Sequence, residues 1–356
     1  MKLFVAIVLF ALCLQMLFIV AHGAALSCVS DDGERVDWWT GIKMPKISGS
    51  MEESFQDGER YMYIDGDTFD WELSAYLLTD TSGGAIQKTL DAIVYHHETG
   101  YVMYNDQPPE TSSAYSNYAH AKGVVAWDEA SQTGVWLVHS VPRFPHKREN
   151  ESYSFPDPQL TYGQSFLCMN LNWDALSTVG SALRHNKVKV YASFLQASNP
   201  DNFAALIDKD YQEDTQVRVD KIKTRGGKAM DVFSKSDDWD GDLYEAGVAP
   251  HYDTDLIAET WMRPYRGSFC KGVNATEGYT VENAEYVYPP FVEEYHYTKD
   301  HSKLALTSAP GQLRVCVGDI NRNESQRRRG GGTVCFRDAT VWNAFYSVYG
   351  SNRPRC

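Results

Sequence analysis

His120-Ala121-Lys122 and His301-Ser302-Lys303 each put an imidazole and an ammonium two positions apart. On a strand that spacing turns both side chains to one face and the residue between them to the other. Each pair leads into an apolar run, a turn and a second apolar run: Val124–Trp127 then Val135–Val138, and Leu304–Leu306 then Leu313–Val317. Two imidazoles and two ammonium groups converging on one cleft can transfer a phosphoryl group without a metal ion. The lysines neutralise the non-bridging oxygens, one neutral imidazole attacks phosphorus, and the other, protonated, gives its proton to the leaving oxygen. A carboxylate beside each ring would fix its tautomer. Asp128 and Glu129 follow the first strand, and Asp300 and Asp319 flank the second pair. His139 ends the second apolar run of the first hairpin and opens a segment that mirrors Gly318-Asp319-Ile320-Asn321, so His139, Asp128, Asp319 and Asn321 are expected to contact substrate or to support the catalytic groups. A single H-x-K is an ordinary solvated edge. Two in matching hairpins suggest duplicated halves that share one site.

The elements that must carry these residues are short. Runs at Tyr61–Ile64, Tyr101–Tyr104, Val188–Tyr191 and the four above are β-rich and bounded by turn residues, while Gln87–Tyr95, Leu176–Leu183 and Ala339–Val348 show helical periodicity. The expected class is mixed α/β (α+β) with a well-populated sheet. At 356 residues, with 43% hydrophobic and 22% charged residues, the chain can bury a large core and is neither disordered nor a polytopic membrane protein. Its net charge of −14 excludes a strongly basic nucleic-acid coat protein and still permits a local basic site. Lys187–Lys189, Lys221–Lys228 and Arg327–Arg329, the last followed by Gly330–Gly332, could flank such a cleft and hold a phosphate backbone.

Lys2 followed by an apolar run over Leu3–Val20 and the small residues around Ala24-Ala25 reads as a signal peptide spanning residues 1–25. The expected product is lysosomal or secreted, with no membrane association in its mature form. Cys13 leaves with that leader, and six cysteines remain for an oxidising compartment, with every pairing open on spacing alone. No CxxC pair is present, so neither structural zinc nor another cofactor is expected. Sequons at Asn150 and Asn274 lie in polar stretches and are candidate glycosylation sites; that at Asn323 sits beside the candidate site and is discounted.

Longer motifs carry a resemblance. Val36-Asp37-Trp38-Trp39, Tyr104-Asn105-Asp106-Gln107-Pro108-Pro109, His120-Ala121-Lys122-Gly123-Val124, Trp136-Leu137-Val138-His139-Ser140-Val141-Pro142, Tyr162-Gly163-Gln164-Ser165, Asp300-His301-Ser302-Lys303, and Cys316 through Arg322 with Arg329 through Cys335 are similar to the deoxyribonuclease II family over essentially the whole mature chain. That resemblance implies a phospholipase D-like fold: two similar sheet-containing halves, residues 26–175 and 176–356, packed as a pseudo-dimer around one central active site. It also implies an acid endodeoxyribonuclease that acts on DNA without divalent metal, forms a phosphohistidine and leaves 3′-phosphate ends. His120 is then expected as nucleophile and His301 as general acid, roles that sequence leaves exchangeable, with Lys122 and Lys303 on the phosphate. The implied disulfides are Cys28–Cys168, Cys270–Cys356 and Cys316–Cys335, each within one half. The chain departs from the family at Leu304-Ala305, where Trp-Cys is usual, and nothing obvious in the second half supplies the acid that the wider superfamily places after the lysine. Two other readings stand beside this one: a phosphodiesterase acting on phospholipid, and a secreted nuclease-like toxin or nucleic-acid-binding relative. Homodimerisation is left open.

Overall fold

The computed structural model describes residues 25–95, 98–150, 152–212, 214–262, 267–351 and 356, the side chain of Asn150 excepted. The expected leader, save Ala25, and Cys13 lie outside the described residues, as does the Asn150 side chain.

Turn-bounded apolar runs become strands of two large sheets. The first sheet uses β1 (Trp38–Lys43), β2 (Tyr61–Asp65), β3 (Glu72–Leu73), β4 (Gly100–Asn105), β5 (Lys122–Asp128), β6 (Thr133–His139), β7 (Gln164–Asn172) and β8 (Val190–Phe194), ordered β8-β4-β5-β6-β7-β1-β2-β3. The second uses β9 (Arg218–Lys223), β10 (Ala229–Lys235), β11 (Leu256–Thr260), β12 (Val281–Asn283), β13 (Lys303–Thr307), β14 (Arg314–Gly318) and β15 (Gly331–Arg337), ordered β9-β10-β15-β14-β13-β11-β12. Neighbours run antiparallel except β11 and β12. Three helices matter here: α1 (Ala85–Leu90), which continues as a wider turn through Tyr95, α2 (Trp173–Asn186) and α3 (Ala339–Tyr349). All fall where helical periodicity places them.

The same register recurs in both sheets. Asn105 faces Lys122 as Thr260 faces Lys303, Gly123 faces Val138 as Leu304 faces Val317, and His139 faces Phe166 as Gly318 faces Thr333. One strand further on, Lys43 faces Gln164 as Lys235 faces Gly331. The helix after each fourth strand begins at an equivalent cap: Asn172 accepts from the Ala175 N–H and Asp338 from the Val341 N–H, each cap contributing about 1 kcal/mol.

Alternation along the strands decides which faces meet. Val125, Val138, Leu167, Leu304, Val317 and Val334 share one buried cluster between the sheets, in which the Trp38 and Phe336 rings lie 5.5 Å apart. Their neighbours turn outward: Val124 and Leu137 pack under α1, and Ala305 and Cys316 pack under the helical segment 244–252. The cysteines pair as Cys28–Cys168, Cys270–Cys356 and Cys316–Cys335, the pattern that the family resemblance implies. A division between residues 175 and 176 would cut the first turn of α2, and β8, which follows it, completes the first sheet beside β4. Chain order and sheet membership part there because α2 returns the chain to the open edge of the first sheet before the second begins.

Candidate active site

Each H-x-K edge is tied to the other sheet. The His120 N–H donates to the Gly330 carbonyl at 3.0 Å, and the His301 N–H donates to the Gly163 carbonyl at 2.9 Å. By the register above, Gly163 and Gly330 are equivalent positions just before β7 and β15, so one crossing contact is made twice. A side chain is excluded at both: a Cβ at Gly330 would strike the Asn186 carbonyl, and one at Gly163 would crowd the Asp300 carboxyl. The residues ahead of those glycines, Arg329 and Tyr162, then lie against the histidine of the opposite sheet. A buried lysine fastens each of these loops. Lys43 Nζ donates to the carbonyls of Leu160 and Tyr162 at 2.8 and 2.9 Å, and Lys235 Nζ donates to that of Arg327 at 2.5 Å. Burial pulls the pKa of both lysines down, Lys235 to about 8.

Around the first pair the partners are ionic. Asp106, just past the end of β4 and 1% exposed, meets His120 Nδ1 at 2.9 Å, Lys122 Nζ at 2.6 Å and an Arg329 Nη at 2.8 Å. Burial alone would raise its pKa, but Lys122, His120 and Arg329 outweigh that and hold it well below the usual carboxylate range. An ionised Asp106 accepts a hydrogen bond from the His120 Nδ1–H and so leaves Nε2 with its lone pair, the form a nucleophile needs. The His120 side chain stays 17% exposed, and burial followed by the charge of Lys122 depresses its pKa to about 3.

Around the second pair the partners are aromatic. The His301 ring stacks on Tyr162 with centroids 4.1 Å apart and planes 11° from parallel, and the Trp261 ring lies 4.9 Å away. Trp261 occupies the place that Asp106 has in the first sheet, one residue past the strand that pairs with the lysine. Nε2 of His301 has no hydrogen-bond partner among the described residues, and Lys303 Nζ bonds the His301 carbonyl. Burial first, then Lys303, His120 and Lys122, drive the His301 pKa to about 2; burial and Lys122 bring that of Lys303 to about 7. Charge thus couples the two pairs: Lys303 bears on His120, and Lys122 bears on His301 and Lys303.

Asp319 lies among them. It is 5% exposed, its Oδ1 accepts the Gly332 N–H at 2.7 Å, and burial lifts its pKa to about 7 against the opposing charges of Lys122 and Lys303. Its counterpart in the first sheet is Ser140, whose Oγ accepts the Ser165 N–H at 2.9 Å. Asn321 is 6% exposed, and its Oδ1 has no hydrogen-bond partner among the described residues.

One expectation needs correction and another is narrowed. His139 is fully buried between Phe144 and Phe166, with Nδ1 accepting the Val141 N–H, so of its two expected roles substrate contact is removed and support of the catalytic groups is left; its pKa is lowered to about 3 by burial and then by Lys122. Asp128 closes the far end of β5, where it accepts the Ser131 N–H, about 20 Å along the strand from Lys122. The carboxylate beside His120 is instead Asp106, not singled out from the sequence, and Arg329, Tyr162 and Trp261 complete the surroundings of the two histidines. The acid in Asn105-Asp106 closing an apolar run was the available signal; its meeting with His120 depends on strand register.

The basic stretches are partly neutralised by ion pairs: Lys187 with Asp237, Lys228 with Asp338, Arg327 and Arg328 with Asp240, and Arg329 with Asp106. Asn274 is exposed, whereas Asn323 is 3% exposed and caps a helical turn. Among the described residues no three His, Cys, Asp or Glu side chains gather to hold a metal ion, and no helix is long and apolar enough to cross a membrane.

A family model for deoxyribonuclease II matches residues 27–354. The chain is 34% identical to Plancitoxin-1 of Acanthaster planci, with 94% of each protein covered. It is 34% identical to Deoxyribonuclease-2 of Caenorhabditis elegans, covering 91% of this chain and 92% of the relative. To Deoxyribonuclease-2-alpha of Rattus norvegicus the identity is 33%, covering 93% and 95%.

Proposed function

Since the chain belongs to the deoxyribonuclease II family, we propose that it is an acid endodeoxyribonuclease that hydrolyses DNA phosphodiesters through a phosphohistidine, without divalent metal. The observation that carries this is the pair of crossed ties, His120 to Gly330 and His301 to Gly163, which support a single cleft shared by both H-x-K edges. The repeated register and these ties support a phospholipase D-like pseudo-dimer, with the site on the axis relating its halves.

Lys122 and Lys303 hold the non-bridging oxygens and neutralise the charge that grows on them. His120 Nε2 attacks phosphorus while the P–O5′ bond breaks and His301 gives its proton to the departing 5′ oxygen. Water then attacks phosphorus and passes a proton to the now neutral His301; the P–N bond breaks, and a 3′-phosphate leaves. The unequal surroundings support this division of roles: an ionised Asp106 orients His120, while no carboxylate among the described residues forms an ion pair with His301. Burial and then neighbouring cations hold the His301 pKa down, and a bound diester would offset the cations, so substrate itself favours the acid form. A low working pH follows, consistent with a lysosomal or secreted protein.

The test is cleavage of plasmid DNA near pH 5 in excess EDTA. Turnover there, abolished by His120→Ala and by His301→Ala, is the expected result; turnover that needs added Mg²⁺ or Zn²⁺ overturns the mechanism. An assay on phosphatidylcholine separates this reading from a phospholipid phosphodiesterase.

A further inference from the structure

Beside the His120 half of the cleft runs a ridge of tyrosines and lysines that the chemistry above does not use. Tyr115, 41% exposed, meets Tyr118 edge-on at 6.4 Å, and Tyr118 meets Tyr211 at 6.3 Å. Lys189 Nζ stands 5.1 and 5.2 Å from the centres of the Tyr115 and Tyr118 rings. On its far side opens a cavity of about 250 Å³ lined by Lys189, Tyr191, Ser193, Ile207, Lys209 and Tyr211.

The ridge is built onto the catalytic cleft. The Tyr115 N–H donates to the Asp106 carbonyl at 2.7 Å, the Asn105 N–H donates to that of Lys189 at 2.9 Å, and Arg329 donates to the carbonyls of Tyr115 and Tyr118 at 3.0 and 2.7 Å. Lys189 immediately precedes β8, two strands from β5 and Lys122, a separation of about 10 Å. Acids outnumber bases 47 to 33, and Lys187, Lys228, Arg327 and Arg328 carry carboxylate partners, yet neither Lys189 nor Lys209 forms an ion pair among the described residues. Unpaired ammonium groups beside exposed aromatic rings are the surface that takes unpaired nucleotides: the cations follow the backbone and the rings stack on bases whatever the sequence.

We propose that this ridge and its cavity form a subsite for an unpaired nucleotide flanking the scissile phosphate, its phosphate held by Lys189 and Lys209 and its base stacked on Tyr115, Tyr118 or Tyr211. The assignment rests on the nuclease reading and adds to it a grip on single-stranded DNA.

Kinetics on two substrates test it: an oligothymidylate about 12 nucleotides long, and bis(4-nitrophenyl) phosphate, which has no flanking nucleotide. In the doubly substituted Lys189→Gln, Lys209→Gln protein, KM for the oligonucleotide rises roughly tenfold, and the log–log salt dependence of kcat/KM becomes shallower by about 1.4. Hydrolysis of the small diester is unchanged. For the unsubstituted protein, an oligomer of the same length with abasic sugars binds roughly fivefold more weakly than oligothymidylate. Unchanged KM and salt slope overturn the phosphate contacts, and equal binding of abasic and normal oligomers overturns the stacking. If the unsubstituted protein cleaves neither substrate, the nuclease reading fails by itself. Fluorescence anisotropy of a labelled oligothymidylate then still decides the subsite: weaker binding by the doubly substituted protein supports it, and equal binding overturns it.

Discussion

Asp106→Asn is the most informative single substitution. The Asp106 carboxylate serves three donors with two oxygens: His120 Nδ1 at 2.9 Å, Lys122 Nζ at 2.6 Å and Arg329 at 2.8 Å. An amide of the same shape keeps one acceptor and brings two donors of its own. If its oxygen stays with Lys122, its NH₂ faces His120 Nδ1 and draws a lone pair there. The ring proton then moves to Nε2, the atom that must attack. Losing that tautomer costs roughly 10²- to 10⁴-fold in kcat. Lys122 and Arg329, 2% and 12% exposed, are left as buried cations short of their counter-ion, which costs about 3 kcal/mol of stability. The assay is plasmid cleavage near pH 5 in EDTA, with a thermal melt followed by circular dichroism. A folded protein melting several degrees lower with kcat reduced at least a hundredfold is expected. A folded Asp106→Asn protein that retains kcat within threefold would refute the role given to this carboxylate.

Two further predictions follow from groups shifted by burial. Asp319 and Lys303 both have pKa values near 7, so as pH rises through that point a negative charge appears and a positive one disappears in the same cleft. The slope of log kcat/KM against pH should become more negative by about 2 as pH passes through 7, and Asp319→Asn should reduce that change to about 1; an unchanged steepening would show that Asp319 does not titrate with the site. His139 has its pKa lowered to about 3 from 6.5, so the unfolded chain takes up its proton first and stability is lost as pH falls from 6.5 toward 3. His139→Asn keeps an acceptor for the Val141 N–H and removes that titration, so the difference in melting temperature between pH 6.5 and pH 4 should narrow; an equal difference would contradict it.

The strands, the helices and both H-x-K edges were legible because each is written in consecutive residues. Period-two runs make β5, β6, β13 and β14, and His120 with Lys122 declares itself without any partner. What sequence could not supply was register across strands. Asp106 reaches His120 because Asn105 pairs with Lys122, a relation invisible along the chain, while Asp128 looked near only because it shares a strand with the lysine. His139 was rightly aligned with Gly318 in the second hairpin, but burial between two phenylalanines, which decides what it can touch, is set by side chains arriving from elsewhere. Within the basic stretches, sequence could not show which cations are free: Asp237, Asp240 and Asp338, distant in sequence, fold back to pair with Lys187, Arg327, Arg328 and Lys228. His301 lacks an ionic partner like that of His120 because Trp261 stands at the position equivalent to Asp106.

The central claim is that His120 and His301 act on one phosphorus from opposite sides. Acid and heat destroy a phosphorus–nitrogen bond, so the reaction of a 3′-side-labelled oligonucleotide with its strand 5′ of the cut also labelled should be stopped in alkaline denaturant with EDTA present, and the protein digested and mapped by mass spectrometry. The account predicts a nucleotidyl 3′-phosphoryl group on the peptide carrying His120, absent in His120→Ala. A covalent adduct on His301 instead, or continued turnover with no adduct on either histidine, would contradict it.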